Sequence, residues 1–304
     1  MHRVFTPLRL NMLNRCEVYA HRGGAGLYPE SSLIAYQHAI ALGVDVLDVD
    51  IGVTKDGVIV ASHFSYLTPE LTRDANGAWL SSNKPLLIKD FTFEQLQQFD
   101  IGFIKPDSEY AKQHPNRQSL PDIRIASLQQ IFDLAKNHPK LRFQLEVKTD
   151  PTRPDETVRV EDFMQALNQL LINNQISHRV EVHSFDWRNM LLLQQLNSDV
   201  KTSYITSKYW IEPELTTIWQ AGHSVASYNN YAHLIAELGG NIWCPDFRDI
   251  STQCMVDDTH KMGLKLTSWT VNEPESMQKL VKLGLNGIIT DYPDRLLFIL
   301  ADTR

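Results

Sequence analysis

Eight short apolar runs, separated almost from end to end by segments of helical period, constrain this chain more than any single motif does. The runs fall at 17–20, 46–53, 141–147, 180–183, 201–205, 241–244, 265–270 and 287–290. Short strands that alternate with amphipathic helices build βα units around a parallel sheet. Eight strands is the number that a (β/α)8 TIM barrel needs. A doubly wound sheet fits the alternation equally well, but no βα turn carries Gly-x-Gly-x-x-Gly. The expected fold class is therefore α/β, with the barrel as its architecture.

Several helices announce their ends. Ser31-Ser32 offers an N-cap to a helix that turns Leu33, Tyr36 and Ile40 inward and stops at Gly43. Ser127-Leu128-Gln129-Gln130 has the form of a capping box ahead of Ile131, Phe132, Leu134 and Ala135. Pro274-Glu275 opens another, with Met277, Leu280 and Val281 at helical spacing and Gly284 beyond its end.

One region breaks the alternation. Residues 64–121 hold turn residues, Trp79, a short helical signal at 93–99 and a Pro/Asn-rich stretch at 105–116. A structureless loop of that length is improbable in a compact domain, so a small insertion with its own packing is expected. The remainder is close to the ~250 residues of a typical barrel. The whole chain, 1–304, is thus expected to form a single barrel domain, with the insertion lying over the face that carries the strand C-termini.

At 304 residues the chain can bury roughly three quarters of its unfolded surface. A formal charge of −7 argues against sequence-independent nucleic-acid binding, which depends on basic patches. Residues 1–7 are not followed by an apolar core and a small-residue cleavage site, and no run approaches the ~18 apolar residues of a membrane span. Three cysteines, Cys16, Cys244 and Cys254, form no Cys-x-x-Cys pair and fit a reducing compartment. A cytoplasmic protein without stable membrane insertion is expected.

The chemistry gathers where apolar runs end. His21-Arg22-Gly23-Gly24 closes the first run, Asp48 and Asp50 lie one position apart in the second, and His63 follows the run Val58-Ile59-Val60-Ala61. Side chains alternate along a strand, so the two aspartates share a face. A His-Arg pair, two carboxylates on one face and another histidine point to a metal-assisted phosphate site. In a (β/α)8 barrel, strand C-termini are where catalytic groups collect.

Further segments complete a pattern: Pro29-Glu30-Ser31, Thr54-Lys55-Asp56-Gly57, Glu146-Val147-Lys148, His183-Ser184-Phe185, Trp269-Thr270-Val271-Asn272 and Ile289-Thr290-Asp291-Tyr292-Pro293. Taken in order from about residue 18 to 294, the set resembles the glycerophosphodiester phosphodiesterase family. Residues 89–96 look like part of the insertion of bacterial members. The resemblance implies a (β/α)8 barrel that hydrolyses glycerophosphodiesters to sn-glycerol 3-phosphate and an alcohol. It makes His21 and His63 the acid–base pair, Arg22 and Lys148 the phosphate-facing cations, and Asp48, Asp50 and Glu146 the ligands of Ca2+ or Mg2+. Glu30 either orients Arg22 or serves the dipole of the following helix. Trp269 is expected to line the pocket, and Asp291 either fixes a loop or touches substrate.

Elementary chemistry supports these roles. A phosphodiester anion repels nucleophiles until its charge is neutralised. Three carboxylates suit a hard cation, and zinc is disfavoured without Cys or a His cluster. Arginine offers bidentate contacts to phosphoryl oxygens, and histidines titrate near neutrality. The first nucleophile is either water or the glycerol 2-hydroxyl. Two positions depart from the family: Asp48 stands where Glu is usual, and His63-Phe64 replaces His-Asp. Two other readings remain, a lysophospholipase D-like phosphodiesterase and a non-catalytic phosphate-ligand binding protein.

Overall fold

Leu47, Val49 and Ile51 pack into the main apolar core, while Asp48 and Asp50, from the other face of the same strand, are buried inside a ring of strands. In the computed structural model, which describes residues 15–81 and 83–302, nine strands appear. They are β1 (Glu17–His21), β2 (Val46–Val53), β3 (Ile59–Ala61), β4 (Arg142–Val147), β5 (Val180–Ser184), β6 (Lys201–Thr206), β7 (Ile242–Pro245), β8 (Lys265–Ser268) and β9 (Gly287–Thr290). All except β3 pair in parallel, and β1 closes the circle by pairing with both β2 and β9. The result is the expected eight-stranded (β/α)8 barrel. Residues 1–7, read above for a leader, lie outside the described residues.

The helices are α1 (Leu33–Leu42), α2 (Phe93–Leu96), α3 (Glu109–Gln113), α4 (Leu128–Leu134), α5 (Val160–Asn174), α6 (Trp187–Leu196), α7 (Thr216–Trp219), α8 (Tyr231–Glu237), α9 (Gln253–Lys261), α10 (Pro274–Leu283) and α11 (Pro293–Asp302). Their ends follow local chemistry. Ser32 accepts from the Ala35 amide at the start of α1, and Gly43 ends that helix in the left-handed region. Ser127 and Gln130 form both halves of a capping box on α4. Tyr36, Ile131 and Phe132 are buried, whereas Leu33, Ile40 and Leu134 are only partly covered.

β3 is the departure from simple alternation. It turns back antiparallel on β2, pairing Ile51 with Ala61 and Val53 with Ile59. The turn is built by Thr54, whose Oγ1 donates to Asp56 at 2.6 Å and accepts from the Val58 amide at 2.9 Å. The hairpin delivers the chain to His63 and then to the insertion, and α4 brings it back to the barrel. The insertion has its own apolar cluster, with Leu67, Ile88, Leu96, Ile101 and Ile125 packed around Val60 of β3. Its Pro/Asn-rich stretch contains α3, which composition alone did not reveal. Five residues are too few for an apolar period to show, and the helix is started by Ser108 accepting from the Ala111 amide at 3.1 Å.

At the opposite end the barrel is closed by charge. Arg142 binds Glu17 at 2.6 Å and also pairs with Glu181, which accepts from the Tyr19 hydroxyl at 2.9 Å. Among the described residues, no helix is long and apolar enough to cross a membrane.

Gly23 links the barrel to α1. Its φ is +84°, and a Cβ there would meet the Ala35 Cβ at 2.8 Å and the Ala35 carbonyl carbon at 2.9 Å. Gly23→Ala should therefore destabilise the fold by about 1–3 kcal/mol through overpacking against a helix backbone. Urea denaturation measures this, and a change below ~0.5 kcal/mol, the range of neutral surface substitutions, would show that the turn can move off α1.

Candidate active site

Parallel register assembles the site. His21 lies level with Asp48, Asp50 with Glu146, and Glu146 with His183, so four neighbouring strands present polar side chains at successive heights inside the barrel. Immediately after β1 the backbone enters a left-handed conformation at Arg22, with φ +52°, and again at Ser31, with φ +60°. Both are unusual for residues other than glycine and mark a loop held in place by its surroundings.

That loop presents the first cation. Arg22 Nε lies 2.8 Å from Asp50, and its Nη1 lies 3.2 Å from Glu30. Glu30 thus faces Arg22 instead of the first turn of α1. Lys148, just beyond β4, sits 2.5 Å from Glu146 and 3.3 Å from Asp50. Burial opposes the charge of Glu146, but Lys148 and His183 outweigh it and hold the carboxyl below its usual range. Lys148 is held above its own, because Asp50 and Glu146 outweigh its burial.

The two histidines assigned from sequence occupy opposite environments. His21 is 8% exposed, and its Nδ1 lies 2.6 Å from Asp291. Burial and Arg22 disfavour the imidazolium, yet Asp291 more than compensates and raises the pKa. Asp291 itself is fixed by Asn272, whose Nδ2 donates to Oδ2 at 2.7 Å and whose Oδ1 accepts from the Asp291 amide at 3.0 Å. Its carboxyl lies well below the usual range: burial works against the charge, and His21 and His114 overcome it.

His63 lies two residues past β3. Its ring contacts Phe64 at 4.2 Å, and Phe64 stacks in turn on Tyr66 at 5.1 Å. Burial and the surrounding cations Arg22, Lys148 and His21 push its pKa well below the ordinary value. The aromatic residue following it supplies no charge to oppose that shift. Ser62 anchors this segment, its amide donating to the Asp50 carbonyl at 2.9 Å and its hydroxyl to the Phe64 carbonyl at 2.8 Å.

The three carboxylates read as metal ligands are all buried in this site: Asp48 is 1% exposed, Asp50 0% and Glu146 7%. Among the described residues, no three His, Cys, Asp or Glu side chains are arranged as a metal cage. Instead, Asp50 and Glu146 face Lys148, and Asp48 lies 3.3 Å from His183 Nε2. Burial lowers the basicity of His183, but its contact with Asp48 outweighs that loss and raises its pKa to about 10. Both oxygens of Asp48 and of Asp50 are buried without a hydrogen-bond partner of good geometry. These all-oxygen donors have unused lone pairs and suit a hard cation.

Trp269 is half-buried, donates its indole N–H to the Cys244 carbonyl at 3.1 Å and meets Phe185 edge-on at 5.3 Å. It belongs to a small apolar cluster with Tyr19, Val46, Ile205, Cys244 and Ile289. Three further contributors escaped sequence reasoning. His183 was visible only as part of a motif, and nothing local shows that it meets Asp48 across β4. Tyr110 and His114 sit in the insertion, where the only signal was their four-residue spacing behind Ser108, a helix cap.

A (β/α)8 barrel with cations, carboxylates and paired histidines at its strand ends defines a class of phosphate-ester hydrolase. The sequence profile described as "Glycerophosphoryl diester phosphodiesterase family" matches residues 21–295, and the chain belongs to that family of phosphoric diester hydrolases. A glycerophosphodiester phosphodiesterase of Caldanaerobacter subterraneus is 26% identical over 280 residues, covering 92% of this chain and 96% of its own. A Silicibacter pomeroyi protein of known crystal structure, designated to the same family, is 30% identical with a TM-score of 0.85, covering 95% of this chain and 94% of its own. An Oleispira antarctica phosphodiesterase, solved with its product sn-glycerol 3-phosphate, shares the fold with a TM-score of 0.70 at 18% identity, covering 94% of this chain and 97% of that one.

The Asp48–His183 pair carries a stability prediction. His183→Ala leaves a buried carboxylate without its cation, which typically costs about 3–5 kcal/mol. Chemical denaturation in EDTA reads the effect, and a loss under ~1 kcal/mol, the scale of an exposed pair, would mean that the pair is not an effective ion pair.

Proposed function

We propose that this chain hydrolyses glycerophosphodiesters to sn-glycerol 3-phosphate and an alcohol, with His21 as general acid and His63 as general base. One contrast carries the assignment: His21 Nδ1 is held by Asp291 at 2.6 Å, which favours its protonated form, whereas burial and the nearby cations Arg22, Lys148 and His21 favour the neutral form of His63. Two titratable groups pushed apart in this way are suited to donate and accept a proton at the same pH. His63 takes the proton of the attacking hydroxyl, whether of water or of the glycerol 2-hydroxyl. His21 Nε2 protonates the departing alkoxide, while Asp291 holds Nδ1 and stabilises the imidazolium before transfer. Arg22 and Lys148 exchange part of their contact with Asp50, Glu30 and Glu146 for the phosphoryl oxygens. Half-buried Trp269 borders the substrate at the end of β8.

Asp48, Asp50 and Glu146 would hold a Ca2+ or Mg2+ ion. Such an ion polarises a phosphoryl oxygen and neutralises charge that the two protein cations leave uncompensated. The buried oxygens of Asp48 and Asp50 without hydrogen-bond partners support this reading. Release of glycerol 3-phosphate from glycerophosphocholine should disappear after exhaustive EDTA dialysis and return with either cation. Full activity in verified metal-free protein would sink the metal assignment. Faster release of choline from lysophosphatidylcholine than from glycerophosphocholine would instead assign a lysophospholipase D.

The pH dependence has a defined sign. Activity needs His63 deprotonated, so it falls as pH drops through a pKa below 6.5. It also needs His21 protonated, so it falls as pH rises through a pKa above 6.5. The resulting profile should be a bell with its acidic limb below 6.5 and its alkaline limb above it. His63→Ala should remove the acidic limb and His21→Ala the alkaline limb, each with a loss of at least ~10² in kcat on an unactivated substrate. Near-normal turnover in either variant would refute its assigned role.

A further inference from the structure

The insertion reaches both halves of the His21-Arg22 pair through a single short helix. Tyr110 lies on α3 and His114, four residues on, caps its C-terminal end, with their rings stacked at 4.3 Å and 22°. The Tyr110 hydroxyl donates to Glu30, the carboxylate that faces Arg22 Nη1 at 3.2 Å. His114 Nε2 lies 3.4 Å from Asp291 Oδ2, the second oxygen of the carboxylate that holds His21. His114 is 8% exposed, so its contact is made inside the protein.

The helix is itself held in place. His114 Nδ1 faces the Tyr110 carbonyl at 3.3 Å, and the buried Arg117 guanidinium donates to the Ile101 carbonyl at 3.2 Å within the insertion. The Gln118 amide donates to the Leu27 carbonyl at 3.0 Å, tying the segment to the loop that carries Arg22 and Glu30. Among the described residues, Asp291 Oδ2 is approached from two elements: it accepts from Asn272 after β8 and lies 3.4 Å from His114 Nε2 of the insertion.

We propose that α3 is a positioning element for the reaction: His114 sets Asp291 and through it the orientation of His21, while Tyr110 sets Glu30 and through it the guanidinium of Arg22. This rests on the reading of His21 as acid and Arg22 as phosphate ligand. Neither Tyr110 nor His114 touches the reacting atoms. Their effect is geometric, because a hydrogen-bonded carboxylate that loses one donor can rotate and carry its imidazole or guanidinium with it. Misplacement of a reacting group by about 1 Å can cost on the order of a hundredfold in rate.

The two contacts should separate kinetically, since one leads to the proton donor and the other to the phosphate ligand. With saturating divalent cation and glycerophosphocholine, His114→Leu should lower kcat about tenfold and leave KM within about twofold, the scale on which outer partners tune a site. Tyr110→Phe should raise KM about tenfold with kcat nearly unchanged, as expected for one weakened charge-assisted hydrogen bond. His114→Gln, whose side-chain amide can donate where Nε2 did, should recover most of the lost kcat. In a His21→Ala background, His114→Leu should have no further effect on kcat, because its influence passes through the missing imidazole.

A uniform fall of kcat in both variants, accompanied by a lowered Tm and no rescue by Gln, would mean that α3 serves only folding and would overturn the proposal. So would an undiminished kcat in His114→Leu when His21→Ala is crippled. Near-normal kcat in His21→Ala overturns instead the acid assignment on which the proposal stands.

Discussion

Asp50 carries its carboxylate at zero exposure between Arg22, just past β1, and Lys148, just past β4. A charge removed from water costs several kcal/mol unless it is paired, and truncating one partner of such a pair leaves the other stranded. Here the pairing spans three adjacent strands, since β2 pairs with β1 on one side and β4 on the other. Charge balance therefore depends on both pairings of β2: β1 and β4 must flank it before Asp50 has its cations. The same cations are the ones proposed to meet the phosphodiester. On that reading the interior stores, as internal ion pairs, positive charge that binding would redirect.

Much of the fold was legible because it rests on local rules. The capping boxes and caps at Ser32, Ser127 and Gly284, and the eight apolar runs, depend on residues a few positions apart. The candidate site was legible where it lay at strand ends: register sets His21 beside Asp48 and Asp50 beside Glu146, with Arg22 and Lys148 just past β1 and β4. What stayed hidden depends on distance along the chain. Asp48 faces His183 across the intervening β4, 135 residues away, and Asp291 faces His21 across 270. The short α3 was equally opaque, since a five-residue helix without an apolar face leaves only its cap in the sequence.

The departures at Asp48 and Phe64 acquire a physical meaning in this setting. Asp48 sits deep in the barrel beside His183, a basic partner that compensates its burial. Phe64 packs against His63 and Tyr66 and supplies no charge to offset the cations Arg22, Lys148 and His21. A carboxylate beside His63 would favour its charged form; the aromatic ring does not, so the neutral imidazole is retained. The two histidines consequently differ in charge preference because one has Asp291 and the other does not.

They also differ in what carries them. His21 ends a barrel strand paired on both sides, whereas His63 follows a three-residue hairpin strand that pairs with β2, is bridged to Ser127 and is backed by the insertion's apolar cluster. One member of the pair is anchored to the frame and the other rides on an appendage. The insertion's apolar cluster packs on Val60, three residues before His63, so its composition bears on where His63 sits. On the proposed acid–base roles, sequence drift there would amount to an adjustable jaw opposite a fixed one, through which a barrel of unchanged architecture could be fitted to leaving groups of different bulk.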